Sequence, residues 1–219
     1  MNSTEHIRTA RELKAVIQEQ VRKRKSDARP VLTVSSGTCG QARGSVKVIQ
    51  ALNRAIRDRK LEGRVRVKVT GCHGFCEAEP NIIIFPHNIF YQKVEPRNGR
   101  AIIAETVLKK KVLEGLLYRD PRTAETAVKE SGISFYRKQK RVLLADNALI
   151  DPTDINDYFA IGGYGSLLKA LTGLTPEAVA AGIEQHGGSM AALIAELEGQ
   201  PGCRLRRFHP PELNEVERL

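Results

Sequence analysis

Two short apolar runs in this chain each empty into a glycine-flanked cysteine turn, and that pairing constrains the fold more than any other feature. Val31-Leu32-Thr33-Val34 leads into Ser36-Gly37-Thr38-Cys39-Gly40, and the alternating run Val65-Arg66-Val67-Lys68-Val69 leads into Thr70-Gly71-Cys72-His73-Gly74-Phe75-Cys76. Glycines let the backbone turn tightly and leave its N–H groups uncovered, so a sulfur held there can accept hydrogen bonds from the main chain. Between the two runs Ser45 is an N-cap for a helix expected over 46–60, with Val46, Ile49, Leu52 and Ile56 as its buried stripe. Strand, helix and strand with short joints form a right-handed parallel unit. Both cysteine turns then leave the carboxyl ends of neighbouring strands, the edge where open α/β sheets bind ligands. Cys39 is therefore expected to face Cys72 and Cys76.

The flanking segments extend this plan. Residues 5–27 carry Ile7, Leu13, Val16, Ile17 and Val21 at helical spacing and end in a basic run before Pro30. Such a helix either packs on the domain that follows or docks on a partner. Residues 81–85 and 89–94, split by Pro86-His87-Asn88, predict an antiparallel hairpin. A helix is expected over 101–118, bearing Ile102, Ile103, Val107, Val112, Leu113, Leu116 and Leu117. The order β-α-β-β-β-α is the thioredoxin-like α/β plan with an extra helix in front.

Residues 121–141 are polar and read as loop. Asp151-Pro152-Thr153-Asp154 opens a helix that Gly162-Gly163 breaks. Further helices are expected over 164–171, from Thr175 onward and over 189–198, before a loose tail at 200–219. The expected division is an N-terminal amphipathic helix over 1–28, the α/β domain over 29–119 and a mostly helical extension over 120–219.

A chain of 219 residues can bury a sizeable core. Its apolar runs, such as Ile82-Ile83-Ile84-Phe85, fall far short of the roughly 20 residues that span a bilayer. The start, Met1-Asn2-Ser3-Thr4-Glu5-His6, lacks the apolar stretch of a signal peptide. The expected location is the cytoplasm, or the cytoplasmic side of a larger assembly. A net charge of +10 invites a nucleic-acid partner, but the basic blocks Arg22-Lys23-Arg24-Lys25, Lys109-Lys110-Lys111 and Arg137-Lys138-Gln139-Lys140-Arg141 lack interleaved stacking aromatics. A solvated face or an acidic protein partner accounts for them.

Four cysteines are too few for a disulfide scaffold here, and clustered thiols in a reducing compartment point to metal or redox chemistry. An iron–sulfur cluster would take Cys72 and Cys76 on one iron and Cys39 on the other, with a fourth ligand still to find among His73, Ser35, Ser36 and the distant Cys203. Zinc could use the same thiols plus a histidine, although structural zinc loops favour closer spacing. A thiol redox centre lacks the usual Cys-x-x-Cys. A site that has lost its cluster is the remaining alternative. Around the thiols, His73 reads as a loop-surface residue, Phe75 as a shield against water, and Glu77 and Glu79 as a solvated rim. Cys203 reads as a free thiol, and His186-Gly187-Gly188 as a helix break.

The stretches Gly37-Thr38-Cys39-Gly40-Gln41-Ala42-Arg43-Gly44-Ser45 and Thr70-Gly71-Cys72-His73-Gly74-Phe75-Cys76, followed by the apolar hairpin, resemble the thioredoxin-like [2Fe–2S] ferredoxin module. That module occurs as the small ferredoxin subunit of respiratory complex I and at the front of NADH-binding flavoprotein subunits of NAD-linked and electron-bifurcating hydrogenases. The stretches 135–139, 149–158 and 162–171, with Thr175-Pro176-Glu177-Ala178-Val179, resemble the opening of that flavoprotein subunit.

The resemblance implies an electron-transfer subunit of such a complex, or a redox-inactive docking subunit, working with other flavin and iron–sulfur subunits. It implies a [2Fe–2S] cluster on Cys39, Cys72 and Cys76, with the backbone N–H groups of Gly71 and Gly74 around the sulfurs. Two departures limit it. Gly187-Gly188-Ser189-Met190 stands where the family's glycine-rich FMN and NADH loop would be, so neither FMN nor NAD is expected on this chain. Cys39 stands one residue before the usual second ligand position, which Gly40 occupies, and Ser35 stands where a first cysteine belongs.

Overall fold

The computed structural model describes residues 7–141 and 144–185. Ten elements organise the first part of the chain. Helix α1 (Ala10–Ser26) precedes β1 (Val31–Ser35), a short helix α2 (Thr38–Ala42), α3 (Ser45–Asp58) and β2 (Arg66–Thr70). Strands β3 (Ile82–Phe85) and β4 (Ile89–Tyr91) follow as a hairpin, then α4 (Gly99–Ala101), which runs on as a wider-wound turn over Ile102–Leu108. A two-residue hairpin pairs β5 (Tyr118–Arg119) with β6 (Thr126–Ala127). Helices α5 (Ser134–Arg137), α6 (Ile155–Ala160), α7 (Gly165–Gly173) and α8 (Pro176–Gln185) complete the described chain. The expected helix over 189–198 and the tail over 200–219 lie outside the described residues. The chain divides into two compact units, 1–168 and 169–219.

The fold class is the α/β plan expected from the sequence. The sheet order is β2-β1-β3-β4, with β1 and β2 parallel and both β1–β3 and β3–β4 antiparallel. Strand alternation places two cores on the two faces of this sheet. Leu32, Val34, Ile82, Ile84, Ile89 and Tyr91 meet Val48, Leu52, Ala55 and Ile56 of α3 and Ile102 and Ile103 on one face. Ile83 and Phe90 point the other way, against Phe75, Ile133, Tyr136 and Ala148. The edge strand β4 is covered, because Phe90 N–H donates to the Val128 carbonyl at 2.8 Å and Gln92 N–H to the Leu116 carbonyl at 2.9 Å.

Helix α1 begins with a capping box, in which the Thr9 side chain accepts from Glu12 N–H and Glu12 reaches back to Thr9 N–H. Its basic last turn, Lys23, Arg24 and Lys25, complements the helix dipole. α1 packs on α6, so the leader helix is part of the domain's own packing.

Four expectations are corrected. Ser45 is not a cap: α3 is preceded by left-handed Gly44, and the buried Ser45 hydroxyl pairs with that of Ser36 at 2.8 Å. Val46 is 47% exposed, and Val48 takes its place in the buried stripe. The helix expected over 101–118 ends at Leu108, where left-handed Lys110 breaks the winding. Leu113, Leu116 and Leu117 still reach the core, but from a tight turn that seals the β4 edge. Finally, residues 121–141 are not mere loop, since Ile133 and Tyr136 carry the second core.

Candidate metal centre

Strands β1 and β2 run in matched register, with Ser35 opposite Thr70, so both cysteine turns leave the sheet side by side. Ser36 N–H donates to the Thr70 carbonyl at 3.0 Å and ties the two exits together. Cys39 then sits in α2, while Cys72 and Cys76 bracket a turn whose Gly74 is left-handed, at φ +87°. That conformation favours glycine, and it aims Gly74 N–H at Cys72 Sγ, 3.2 Å away. Gly37 brings the two turns together, since a Cβ there would lie 3.1 Å from Cys72 Cβ.

The structure gathers the three sequence-level thiols. Cys72 and Cys76 sulfurs are 3.9 Å apart, and Cys39 lies near enough to Cys76 to bear on its thiol. All three are free thiols, with Cys39 and Cys76 exposed and Cys72 half-buried. Neighbouring Cys39, aided by desolvation and by Cys72, pushes the Cys76 thiol up to about 11. A metal bound here would displace protons from these sulfurs. Gly71 lies in the same turn, but its contact is a carbonyl accepting from Ser35 Oγ at 3.4 Å, and among the described residues its N–H reaches no sulfur.

Gly40 accounts for the position of the first thiol. A Cβ at 40 would stand 2.7 Å from the Ser35 carbonyl oxygen and 2.9 Å from Glu79 Oε2, so that position has no room for a cysteine. The exposed neighbouring position, 39, carries the sulfur instead.

A [2Fe–2S] cluster normally takes four protein ligands, two per iron, and the two turns offer three thiols. The other donors considered from sequence turn inward. Ser35 Oγ donates to Glu79 Oε1, Ser36 pairs with Ser45, and His73 Nε2 lies 2.7 Å from Thr70 Oγ1. Cys203 lies outside the described residues. Among the described residues no three His, Cys, Asp or Glu side chains are grouped as ligands of a single metal ion. The residues present therefore fit part of a cluster's ligand set.

Two side chains expected at the surface are buried. His73 is 0% exposed, and burial, aided by the charge of Arg141, holds its imidazole down to about 4 against the pull of Asn81, so it is neutral near pH 7. Glu79 is 2% exposed, and burial raises its carboxyl above the usual range despite hydrogen bonds from Ser35 and Asn81 N–H. Glu77 is exposed, with its carbonyl accepting from Arg43 at 3.3 Å. Phe75 is buried in an aromatic group, stacked on Phe135 at 4.3 Å and edge-on to Tyr118 and Tyr136.

Sequence reasoning missed what packs against the Cys72 turn from later in the chain. Asn147 Nδ2 donates to the Cys72 carbonyl at 2.9 Å, and a Cβ on Gly74 would meet Leu144 Cδ1 at 3.3 Å. The available signal was Phe135-Tyr136, an aromatic pair in an otherwise polar stretch.

No family model matches the sequence. The chain is 29% identical over 115 residues to the NADP-reducing hydrogenase subunit HndB of Solidesulfovibrio fructosivorans, covering 51% of this chain and 90% of that protein. It is 24% identical over 75 residues to a 2Fe-2S ferredoxin of Clostridium pasteurianum, covering 34% of this chain and 74% of the ferredoxin. Among solved structures, a thioredoxin-like [2Fe-2S] ferredoxin from Aquifex aeolicus aligns at 21% identity with a TM-score of 0.38, over 41% of this chain and 90% of that one. The homology is weak, and it is to hydrogenase-subunit and ferredoxin sequences.

Proposed function

We propose that this chain is an iron–sulfur electron-transfer module of a multisubunit oxidoreductase. The observation that carries this reading is the Cys72–Cys76 sulfur pair beside the Cys39 turn, where two parallel strands release their turns side by side. The weak similarity to a hydrogenase subunit and a 2Fe-2S ferredoxin supports it. When bound, a [2Fe–2S] cluster supplies one-electron transfer without touching substrate.

The chain's own part is to present and shelter the sulfurs. Cys39, Cys72 and Cys76 would hold the cluster, and Gly74 N–H stabilises negative charge on Cys72 Sγ. Phe75 and its aromatic neighbours close the interior side against water. Ser35, Ser36 and His73 are engaged elsewhere, which leaves Cys203 as this chain's remaining thiol for the fourth position.

The finer reading is an NADH dehydrogenase-like or electron-bifurcating complex in the cytoplasm. It rests on the resemblance of residues 135–179 to the opening of a flavoprotein subunit. In this reading 29–119 is the ferredoxin-like domain, 120–219 is the extension, and FMN and NADH are bound by partner subunits. Among the described residues no helix is long and apolar enough to cross a membrane.

The test is EPR of protein purified without oxygen and reduced with dithionite. A signal from a one-electron-reduced cluster, abolished in Cys76→Ser, is expected. A second reading, a redox-inactive docking subunit, is favoured by the incomplete ligand set. It predicts an EPR-silent protein that still binds its partner subunits.

A further inference from the structure

A cavity of about 920 Å³ opens at the end of the sheet opposite the cysteine turns. The last turns of α1, the joint to β1, the first residues of β1 and β2, the β3–β4 turn and α6 line it. Five cations face it, Lys23, Arg24, Arg29, Arg66 and Lys68, against three carboxylates, Asp27, Asp154 and Asp157.

Most of these charges are already matched. Lys23 Nζ lies 2.7 Å from Glu19, Arg29 Nη2 lies 2.6 Å from Asp27, and Lys68 Nζ lies 2.5 Å from Asp157. Two guanidiniums are held more loosely or not at all. Arg66 Nη2 stands 3.8 Å from Asp157 and 3.9 Å from Asp154, beyond hydrogen-bond length. Arg24 has no carboxylate partner among the described residues. Both charges bear on buried Lys68 and, after desolvation, help to lower its pKa. Five cations against three carboxylates thus leave the lining of this open space net positive.

We propose that this cavity binds a phosphate-bearing small molecule, with Arg24 and Arg66 as its anion ligands. Guanidinium forks match phosphate oxygens two at a time. The volume falls in the range of small-molecule sites, about 300–1,000 Å³. Val31, Phe85, Pro86 and Leu149 add apolar wall for an organic group. The site is independent of the cysteine turns, so its failure would leave the iron–sulfur reading untouched.

Calorimetric titration of the full chain with ADP and with pyrophosphate tests the proposal. Binding of at least one is expected, weakened about tenfold or more by Arg24→Gln or Arg66→Gln. Arg97→Gln, at a side chain 80% exposed, should leave it unchanged, as should Cys72→Ser. Tighter binding of ADP would assign the apolar wall to an organic phosphate, and equal binding would assign the site to inorganic phosphate alone. Melting curves of the arginine variants check that the fold is kept. No binding of either probe, binding indifferent to both arginines, or an equal loss in Arg97→Gln would overturn the proposal.

Discussion

Ser35 shows how much a single side chain can mislead. In sequence it stands where the ferredoxin module that this stretch resembles has a cysteine, and it is a natural candidate for a ligand. In the structure its hydroxyl is fully buried and donates to Glu79, 44 residues away, inside the protein. Ser35→Ala is expected to cost about 1–3 kcal/mol in urea unfolding, because it leaves a buried carboxyl short of a donor. It should leave iron content unchanged, whereas loss of iron would make Ser35 a ligand after all. His73 and Glu79 were misplaced for the same reason. A turn rich in glycine and charge looks solvent-exposed, and nothing local marks a histidine whose partner is the hydroxyl of Thr70 or a glutamate whose partner is a distant serine. The thiols were legible because two strand-like runs of similar length each end in a cysteine turn, and parallel register does the rest.

At the level of elements, the sheet and α3 were readable because alternation and helical spacing are strong signals for surfaces buried on a known face. The helix expected over 101–118 failed because apolar spacing records burial and not winding, and three consecutive lysines interrupt it. The docking of α6 had no sequence signal, since it depends on an ion pair across the sheet edge. Lys68 and Asp157 are both about nine-tenths buried, and Lys68 also donates to the Leu149 carbonyl at 3.2 Å. Asp157→Ala leaves that ammonium buried and unpaired and should cost about 3–5 kcal/mol, while Lys68→Met with Asp157→Leu should recover most of the loss.

A second pair secures the joint between α1 and β1. The Arg29 hydrogen bond, with the Arg29 charge adding, holds the Asp27 carboxyl down at about 2, against an ordinary 3.8. A depressed carboxyl stabilises the fold above its unfolded value, so this contribution is full above 3.8 and is lost as pH falls toward about 2. The pair is partly solvated and its effect is modest. Stability measured against pH should lose that part of its acid slope in Asp27→Asn.

On the scale of the whole molecule, the sheet is a partition. One face packs on α3 and α4, the other on the segment that carries Ile133 and Tyr136, and the cysteine turns emerge at the carboxyl edge. The later segment thereby does two things, covering an apolar face and bracing the Cys72 turn through Asn147. The proposed cavity uses the opposite end of the same strands, so the two sites can be altered separately. The central claim is that Cys39, Cys72 and Cys76 together hold an iron–sulfur cluster. Iron and acid-labile sulfide per chain, measured on protein purified without oxygen, test it most directly. The account predicts about two irons and two sulfides, falling sharply in each of Cys39→Ser, Cys72→Ser and Cys76→Ser. Iron-free protein that resists reconstitution, or iron unaffected by all three substitutions, would contradict it.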